Sequence, residues 1–298
     1  MIPRREGYHI ISASVSKKTI ATSIHNDSSF AFKLLAPSAI YLLILMAFPL
    51  LWSIYISMTD KRTGVAANFT GIQNYILLAK DSIFWKTVGN TFTYTIICVA
   101  LKVVFGIILA LLLNSSVIKY KNVFRSLTFL PWALPTLVSV YTWKWIFSDI
   151  GGALNHILQL LHIIKAPIGW FATPGYAMFS VIMINVWRGI PFIGISVLAG
   201  LQTINRNMYE AAEIDGASKL QQFWYITLYC VKNVVLLGTV ITTIWTLNDF
   251  EIIWLLTRGG PDNGTQVFST LAYTYGFLNR DLGLSVAISV VSLPLSIF

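Results

Sequence analysis

Charge is scarce in this sequence. Only 11% of its 298 residues are Asp, Glu, Lys or Arg, against roughly a quarter in an ordinary soluble domain, which excludes a surface that faces water on all sides. Cysteine is nearly absent: Cys98 and Cys230 lie far apart and without metal-ligand spacing, so they make neither a disulfide framework nor a zinc site. No Gly-rich phosphate loop ends in Gly-Lys-Ser/Thr, no His-Glu-x-x-His occurs, and His9, His25, His156 and His162 all fall outside the apolar runs. Catalytic residues and metal ligands are therefore not expected, and the chain binds no cofactor of its own. The balance of 21 Lys and Arg against 12 Asp and Glu, net +9, is not arranged as a basic stripe interleaved with aromatics. It reads as loops touching anionic membrane lipid, not nucleic acid.

What is abundant is apolar sequence, 56% of residues, gathered into runs long enough to cross a bilayer, which takes about 20 residues. The run 34–58 is 25 residues without a charge, too long for the apolar part of a signal peptide. Further spans are expected at 91–113, 127–147, 176–201 and 234–257. A sixth, from 284, is still apolar at Phe298, so the natural protein is expected to continue beyond it. The fold class is all-α, a polytopic membrane protein of about six transmembrane helices. Its organisation is a polar N-terminal tail, 1–33, and a transmembrane domain, 34–298. With the tail inside, the inner segments carry eleven Lys and Arg against seven outside, a modest bias toward a cytoplasmic N-terminus. The short basic loop with Lys119, Lys121 and Arg125 is the clearest part of it. The outer loops, with Gly151, Gly152, Pro167, Pro174 and the Gly259-Gly260-Pro261 turn, read as connectors.

The cytoplasmic segment 205–233 is too polar to cross and too patterned to be slack. Met208, Tyr209, Ala211 and Ala212 form a small apolar face beside Glu210 and Glu213, and Gly216 stands where a helix C-terminus favours positive φ. Ser218 then opens a Ser-Lys-Leu-Gln box able to cap a second helix whose Leu220, Phe223, Trp224 and Leu228 share a face. The result is a helix, a hinge and an amphipathic helix. On physics alone an interfacial helix resting on lipid is an equal alternative.

Glu210-Ala211-Ala212, then Asp215-Gly216-Ala217, then Ile226 and Leu228 resemble the EAA loop of ABC-importer permeases. The likeness extends to Phe69-Thr70-Gly71-Ile72-Gln73-Asn74-Tyr75, Phe129-Leu130-Pro131-Trp132, Trp187-Arg188-Gly189-Ile190-Pro191-Phe192 and Leu256-Thr257-Arg258-Gly259-Gly260-Pro261. These stretches resemble the carbohydrate branch, the first permease of maltose and glycerol-phosphate importers, from about residue 35 to the end. The resemblance implies a bacterial inner-membrane subunit importing a sugar or oligosaccharide. Its partners would be a second, nonidentical permease, an ATPase dimer carrying ATP and Mg, and an extracytoplasmic solute-binding protein. It implies that Glu210 makes polar contact with the ATPase, that Tyr209, Ala211, Ala212 and Ala217 fill its socket beside Asp215, and that Gly216 sets the angle between the two helices. Asn205, Tyr229 and Asn233 stand where the family often has proline, which leaves the exit geometry of the second helix open.

Charges at membrane depth need partners or water, since each costs at least about 2.5 kcal/mol. Lys102, Lys144, Arg188, Asp249 and Glu251 are such residues. Arg188 and Asp249 either flank a polar cavity or form a buried pair holding two helices together; recurrence of Trp-Arg-Gly-Ile-Pro among family members with different substrates favours a structural Arg188. Asn185, Trp245, Asn248 and Asp249 are the candidates for the substrate path. Lys144 lies near a helix end and is expected to snorkel. Lys102 either faces the cavity, favouring an acidic solute, or meets a carboxylate. Trp52, Trp85, Trp145, Trp170 and Trp254 are expected in an interfacial belt. A self-contained secondary transporter stays as the alternative, supported by the intramembrane acids but lacking inverted repeats.

Overall fold

The computed structural model of the protein describes residues 17–115 and 118–297. It divides into two units, 1–53 and 54–298. The first contains most of helix α1, Lys17–Ser57, which begins inside the expected tail; most of the side chains from Lys33 to Trp52 are exposed. Residues 1–16, with Arg4 and Arg5 of the tail, lie outside the described residues.

The second unit opens with α2, Gln73–Lys80, and α3, Ser82–Asn114. Asn74, from the Phe-Thr-Gly stretch, is buried and donates to the carbonyls of Ser57 and Thr59 at 2.8 Å each. This satisfies carbonyls that a helix C-terminus leaves open, so the stretch acts as a latch on the end of α1. α3 starts nine residues before the expected span because Asp81 caps it, accepting from the Ile83 N–H at 2.8 Å.

The expected span 127–147 is not one helix. α4, Lys121–Thr128, and α5, Leu130–Ala133, meet α6, Thr136–Ile146, at a bend of 92°. Pro135 has no N–H to donate and drives Leu134 out of the helical region, to ψ 139°. The connector that follows contains α7, Ala153–Leu160, and is tied by Asn155. That buried amide donates to the carbonyls of Ser148 and Ile168 and accepts from the Ile168 N–H and the Trp170 indole. Trp170 is consequently 7% exposed, a core residue and not a member of an interfacial belt. Trp254 is half-buried and packed against Tyr273 with ring centroids 4.6 Å apart, whereas Trp52, Trp85 and Trp145 are exposed.

α8, Pro174–Leu201, packs along α3. Small residues set the separation: a Cβ on Gly106 would lie 2.5 Å from Ile193 Cγ2, and one on Gly194 2.7 Å from Leu109 Cδ2, the close approach by which membrane helices associate. α9, Arg206–Ile214, precedes a longer helical run made of α10, Lys219–Gln222, a π turn, Phe223–Thr227, and α11, Leu228–Leu247. The fifth span therefore begins well before residue 234 and ends at Leu247, because Asn248 and Asp249 break it ahead of α12, Glu251–Leu256. α13, Phe268–Tyr273, a second π turn, Thr274–Leu278, and α14, Leu282–Ile297, complete the described chain. Among the described residues, four helices are long and apolar enough to cross a membrane, five if the bent pair is one broken span. α14 is a shorter apolar helix.

The Gly259-Gly260-Pro261 turn is more than a connector. Lys86 and Asn90 of α3 donate to the carbonyls of Asp262 and Asn263 at 2.5 and 2.8 Å, pinning the loop to the start of that helix.

Candidate functional site

Two features stand out, a polar cavity among the spans and the helix–hinge–helix segment at one end of them. The cavity has a volume of about 580 Å³ and is lined from α3, α5, α6, α8, α11 and α12. Asn185, Trp245, Asn248, Asp249 and Arg188, identified separately in the sequence, all line it, and so does Lys102. Trp132, Phe192, Thr242 and Thr246 line it too and were not singled out. The signal for the two threonines was present as a hydroxyl pair at i, i+4 on an apolar helix.

Asp249 sits at the break between α11 and α12 because its groups are held from three sides. Oδ2 accepts from the Tyr94 hydroxyl at 2.6 Å and from the Asn185 amide at 2.7 Å, and its main-chain carbonyl accepts from Ser269 Oγ at 2.7 Å. The side chain expected in the substrate path is thus occupied in joining α3, α8 and α12. Asn185 Oδ1 is buried without a partner among the described residues. Asn248 is exposed, and among the described residues its side chain donates only to the Ile244 carbonyl at the end of α11, at 2.9 Å. Trp245 is half exposed and lies against Phe192, with ring centroids 4.8 Å apart.

Arg188 pairs with no carboxylate among the described residues, contrary to the structural pair considered above. Its Nη1 donates to the Leu134 carbonyl at 3.0 Å and more weakly to Ser139 Oγ at 3.4 Å. The Leu134 carbonyl is the group left open by the proline break, so Arg188 clamps the bent span from α8. Lys102 is 4% exposed and donates to Thr246 Oγ1 at 2.9 Å. Lys144 is exposed near the end of α6, its Nζ 3.5 Å from the Leu255 carbonyl of α12.

In the second feature, Asn205 caps α9 by accepting from the Asn207 N–H at 3.0 Å. Gly216, at φ +77°, ends it. The Ala217 N–H bonds the Ala212 carbonyl at 2.8 Å and the Gly216 N–H bonds that of Glu213 at 3.1 Å, the paired closure of a Schellman motif. Ser218 and Gln221 form the reciprocal capping box expected from their spacing. The hinge folds α9 back on the next helix, where the Tyr209 hydroxyl meets Thr227 Oγ1 at 2.8 Å. Tyr209, Ala212 and Ala217 are consequently half-buried, and the exposed face is formed by Ala211, Glu210, Asp215 and an 87% exposed Ile214. Exposure at Ile214 was not foreseen, because its apolar side chain reads as the inner face of a helix.

Glu210 pairs with Arg206 at 3.2 Å, and Glu213 pairs with Lys219 across the hinge. The Lys219 ammonium holds the Glu213 carboxyl below its ordinary value of 4.5. A depressed carboxylate pKa contributes stability above the ordinary value and loses it as pH falls through the folded one. The cross-hinge pair is therefore complete at neutral pH and fails only in acid. Lys219→Ala is expected to return Glu213 to ordinary titration, read by carboxyl chemical shift against pH; an unchanged titration would show that the pair does not form.

Residues 102–298 match the family described as binding-protein-dependent transport system inner membrane component. The chain is 33% identical to the trehalose/maltose transport system permease protein MalF of Thermococcus litoralis over 91% of each chain. It is 35% identical to the sulfoquinovosyl glycerol transport system permease protein SmoG of Agrobacterium fabrum, over 91% of this chain and 87% of that one. Its fold matches a chain of the crystal structure of a bacterial ABC transporter involved in import of the acidic polysaccharide alginate, with TM-score 0.75, 24% identity and coverage of 94% and 96%. The relatives are transport permeases and not enzymes, and the kinship decides against a self-contained secondary transporter. This membrane-embedded chain belongs to the binding-protein-dependent transport system inner membrane components, the permeases of ABC importers.

Proposed function

We propose that this chain is one of two nonidentical permease subunits of an importer for a sugar or oligosaccharide, with the helix–hinge–helix segment docked on a separate ATPase. The observation that carries the reading is the uninterrupted helical run Lys219–Leu247. It starts at the Ser218 cap beside the hinge and ends at the cavity, where Thr242, Trp245 and Thr246 face the solute space. At 1.5 Å per residue it spans roughly 43 Å. No proline at Tyr229 or Asn233 breaks it, and it runs on as one helix through the π turn at Phe223–Thr227, so a displacement imposed on the docked end reaches the cavity.

In this reading the exposed Ala211, Ile214 and Asp215 enter the ATPase groove, Glu210 touches its rim, and Tyr209 with Ala212 braces the knob from behind. ATP and Mg reside on the partner, whose closure draws the knobs together and reorients the spans. A solute-binding protein delivers to the outward side of the cavity. The N-terminus and the knob share the cytoplasmic face of a bacterial inner membrane, as the distribution of Lys and Arg favours. A sugar suits the lining, which offers amides, hydroxyls, an aromatic pair and the unengaged acceptor of Asn185. The relatives named for trehalose/maltose and sulfoquinovosyl glycerol handle glycosides as well.

Asn248→Ala tests the cavity. The substitution removes one hydrogen bond to a solute hydroxyl, worth about 0.5 to 1.5 kcal/mol, so a several-fold loss of apparent affinity is expected. Thermal stability of the complex should hold, because Asn248 joins no second helix. Both quantities are measured on one preparation; lower stability with normal affinity would remove Asn248 from the solute path.

A further inference from the structure

The cavity holds charges of both signs, and they are unequally engaged. Asp249 accepts from Tyr94 and Asn185 and has the Ile252 N–H near its other oxygen at 3.4 Å. Glu251 is exposed at the first turn of α12. The two cations have only neutral acceptors. Lys102 gives one N–H to Thr246 and has two more. Arg188 uses Nη1 alone, leaving Nε and Nη2 without partners among the described residues. Among the described residues neither cation is within ion-pair distance of a carboxylate; the ion pairs lie elsewhere, at Arg62–Asp281, Arg206–Glu210 and Lys219–Glu213.

The two cations also line the same cavity. A Cβ at Gly189 would lie 2.5 Å from Lys102 Cε and 2.7 Å from its Cδ. The lysine stem therefore occupies a notch in α8 at the residue after Arg188. This notch holds the ammonium inside the bundle, 4% exposed and against the cavity. A desolvated cation whose hydrogen bond goes to a neutral hydroxyl is costly unless an anion completes it, and Asp249, a carboxylate that lines the same cavity, is already engaged by Tyr94 and Asn185.

We infer that the transported saccharide carries an anionic group, a carboxylate or an equivalent oxyanion such as a sulfonate, received in the cavity by Lys102 together with Arg188. The inference rests on the proposed function, since it names the class of sugar that the same cavity takes. Charge-assisted bonds of this kind are stronger than the neutral ones made to sugar hydroxyls. The acidic group would therefore dominate selectivity while the amides and Trp245 hold the rest of the molecule.

Equilibrium binding to the purified importer complex is the test, with three probes: a galacturonate oligosaccharide, its carboxyl-reduced neutral counterpart and a sulfonated glycoside. The wild type is expected to prefer at least one acidic probe over the neutral one by roughly tenfold or more. Lys102→Met should abolish that preference with neutral-probe binding retained, and Lys102→Arg should keep it. Which acidic probe is preferred separates a carboxylate from a sulfonate. Preference for the neutral probe, or an acidic preference that survives Lys102→Met, would overturn the inference while leaving a saccharide importer intact. Binding of no saccharide would overturn the proposed function and the inference with it. Should Lys102→Met fail to assemble, Arg188→Gln gives the same reading, with an unchanged ratio again counting against the proposal.

Discussion

Gly216→Pro should abolish uptake while the protein still inserts in the membrane and reaches normal levels there. Gly216 sits at φ +77° and its N–H bonds the Glu213 carbonyl. Proline is locked near −65° and has no N–H, so it removes both the turn and the bond. The Schellman closure opens, α9 swings away from the capping box at Ser218, and the face carrying Ala211 and Ile214 no longer meets a fixed partner surface. Insertion depends on the apolar spans and is untouched. A second substitution separates the backbone effect from crowding: a Cβ at Gly216 would meet nothing within 4 Å. Gly216→Ala therefore suffers only the left-handed backbone cost, about 1 to 2 kcal/mol, and should retain partial uptake. Co-purification of the ATPase is measured beside uptake and membrane level. Uptake at the wild-type rate by the proline variant would refute docking through this segment.

Asp249→Ala should act on the opposite end and by a different route. Tyr94 and Asn185 are 1% and 7% exposed, and both give their hydrogen bonds to the same carboxylate oxygen. Truncation leaves two buried donors unmatched, at a cost of about 2 to 4 kcal/mol, and releases the junction of α3, α8 and α12. Lower yield and a lower melting temperature of the purified complex are expected, together with weakened solute binding as Asn248 loses its position. Asp249→Asn should recover much of the loss, since an amide oxygen, with two lone pairs, can still accept from both donors. A melting temperature equal to the wild type would show that the carboxylate is not the tie between these helices. The contrast with Asn248→Ala is informative, because neighbouring polar residues then separate stability from affinity.

The run lengths of apolar residues made the spans legible, and the spacing of Asn205, Gly216, Ser218 and Gln221 made the knob legible, because caps and hinges are local and their donors and acceptors lie within a few residues. The exceptions depend on distant partners. Pro135 was visible, but membrane helices tolerate proline, and what accompanies the 92° break is Arg188 reaching the Leu134 carbonyl from another span. The polarity of 205–233 suggested a self-contained loop, whereas the lack of proline at Tyr229 and Asn233 was the better signal and permits one helix from hinge to cavity. Tyr94, Asn185 and Asp249 were each costly at depth, yet their register across three helices is not written in any one of them. Trp170 resembled a belt residue until Asn155, on a short helix in a supposed connector, drew its indole into the core.

The π turn at Phe223–Thr227 also governs how the two working ends are phased. Its Leu228 N–H bonds the Phe223 carbonyl five residues back, and Thr227, the residue that holds Tyr209, lies within it. One residue corresponds to about 100° of rotation along an α-helix. A single insertion or deletion between the Ser218 cap and Leu247 would therefore turn the knob against the cavity by about a quarter-circle or more, with both ends still locally well formed. The exact residue count of this segment, and not only the chemistry of its side chains, is a constraint on any sequence that works through it.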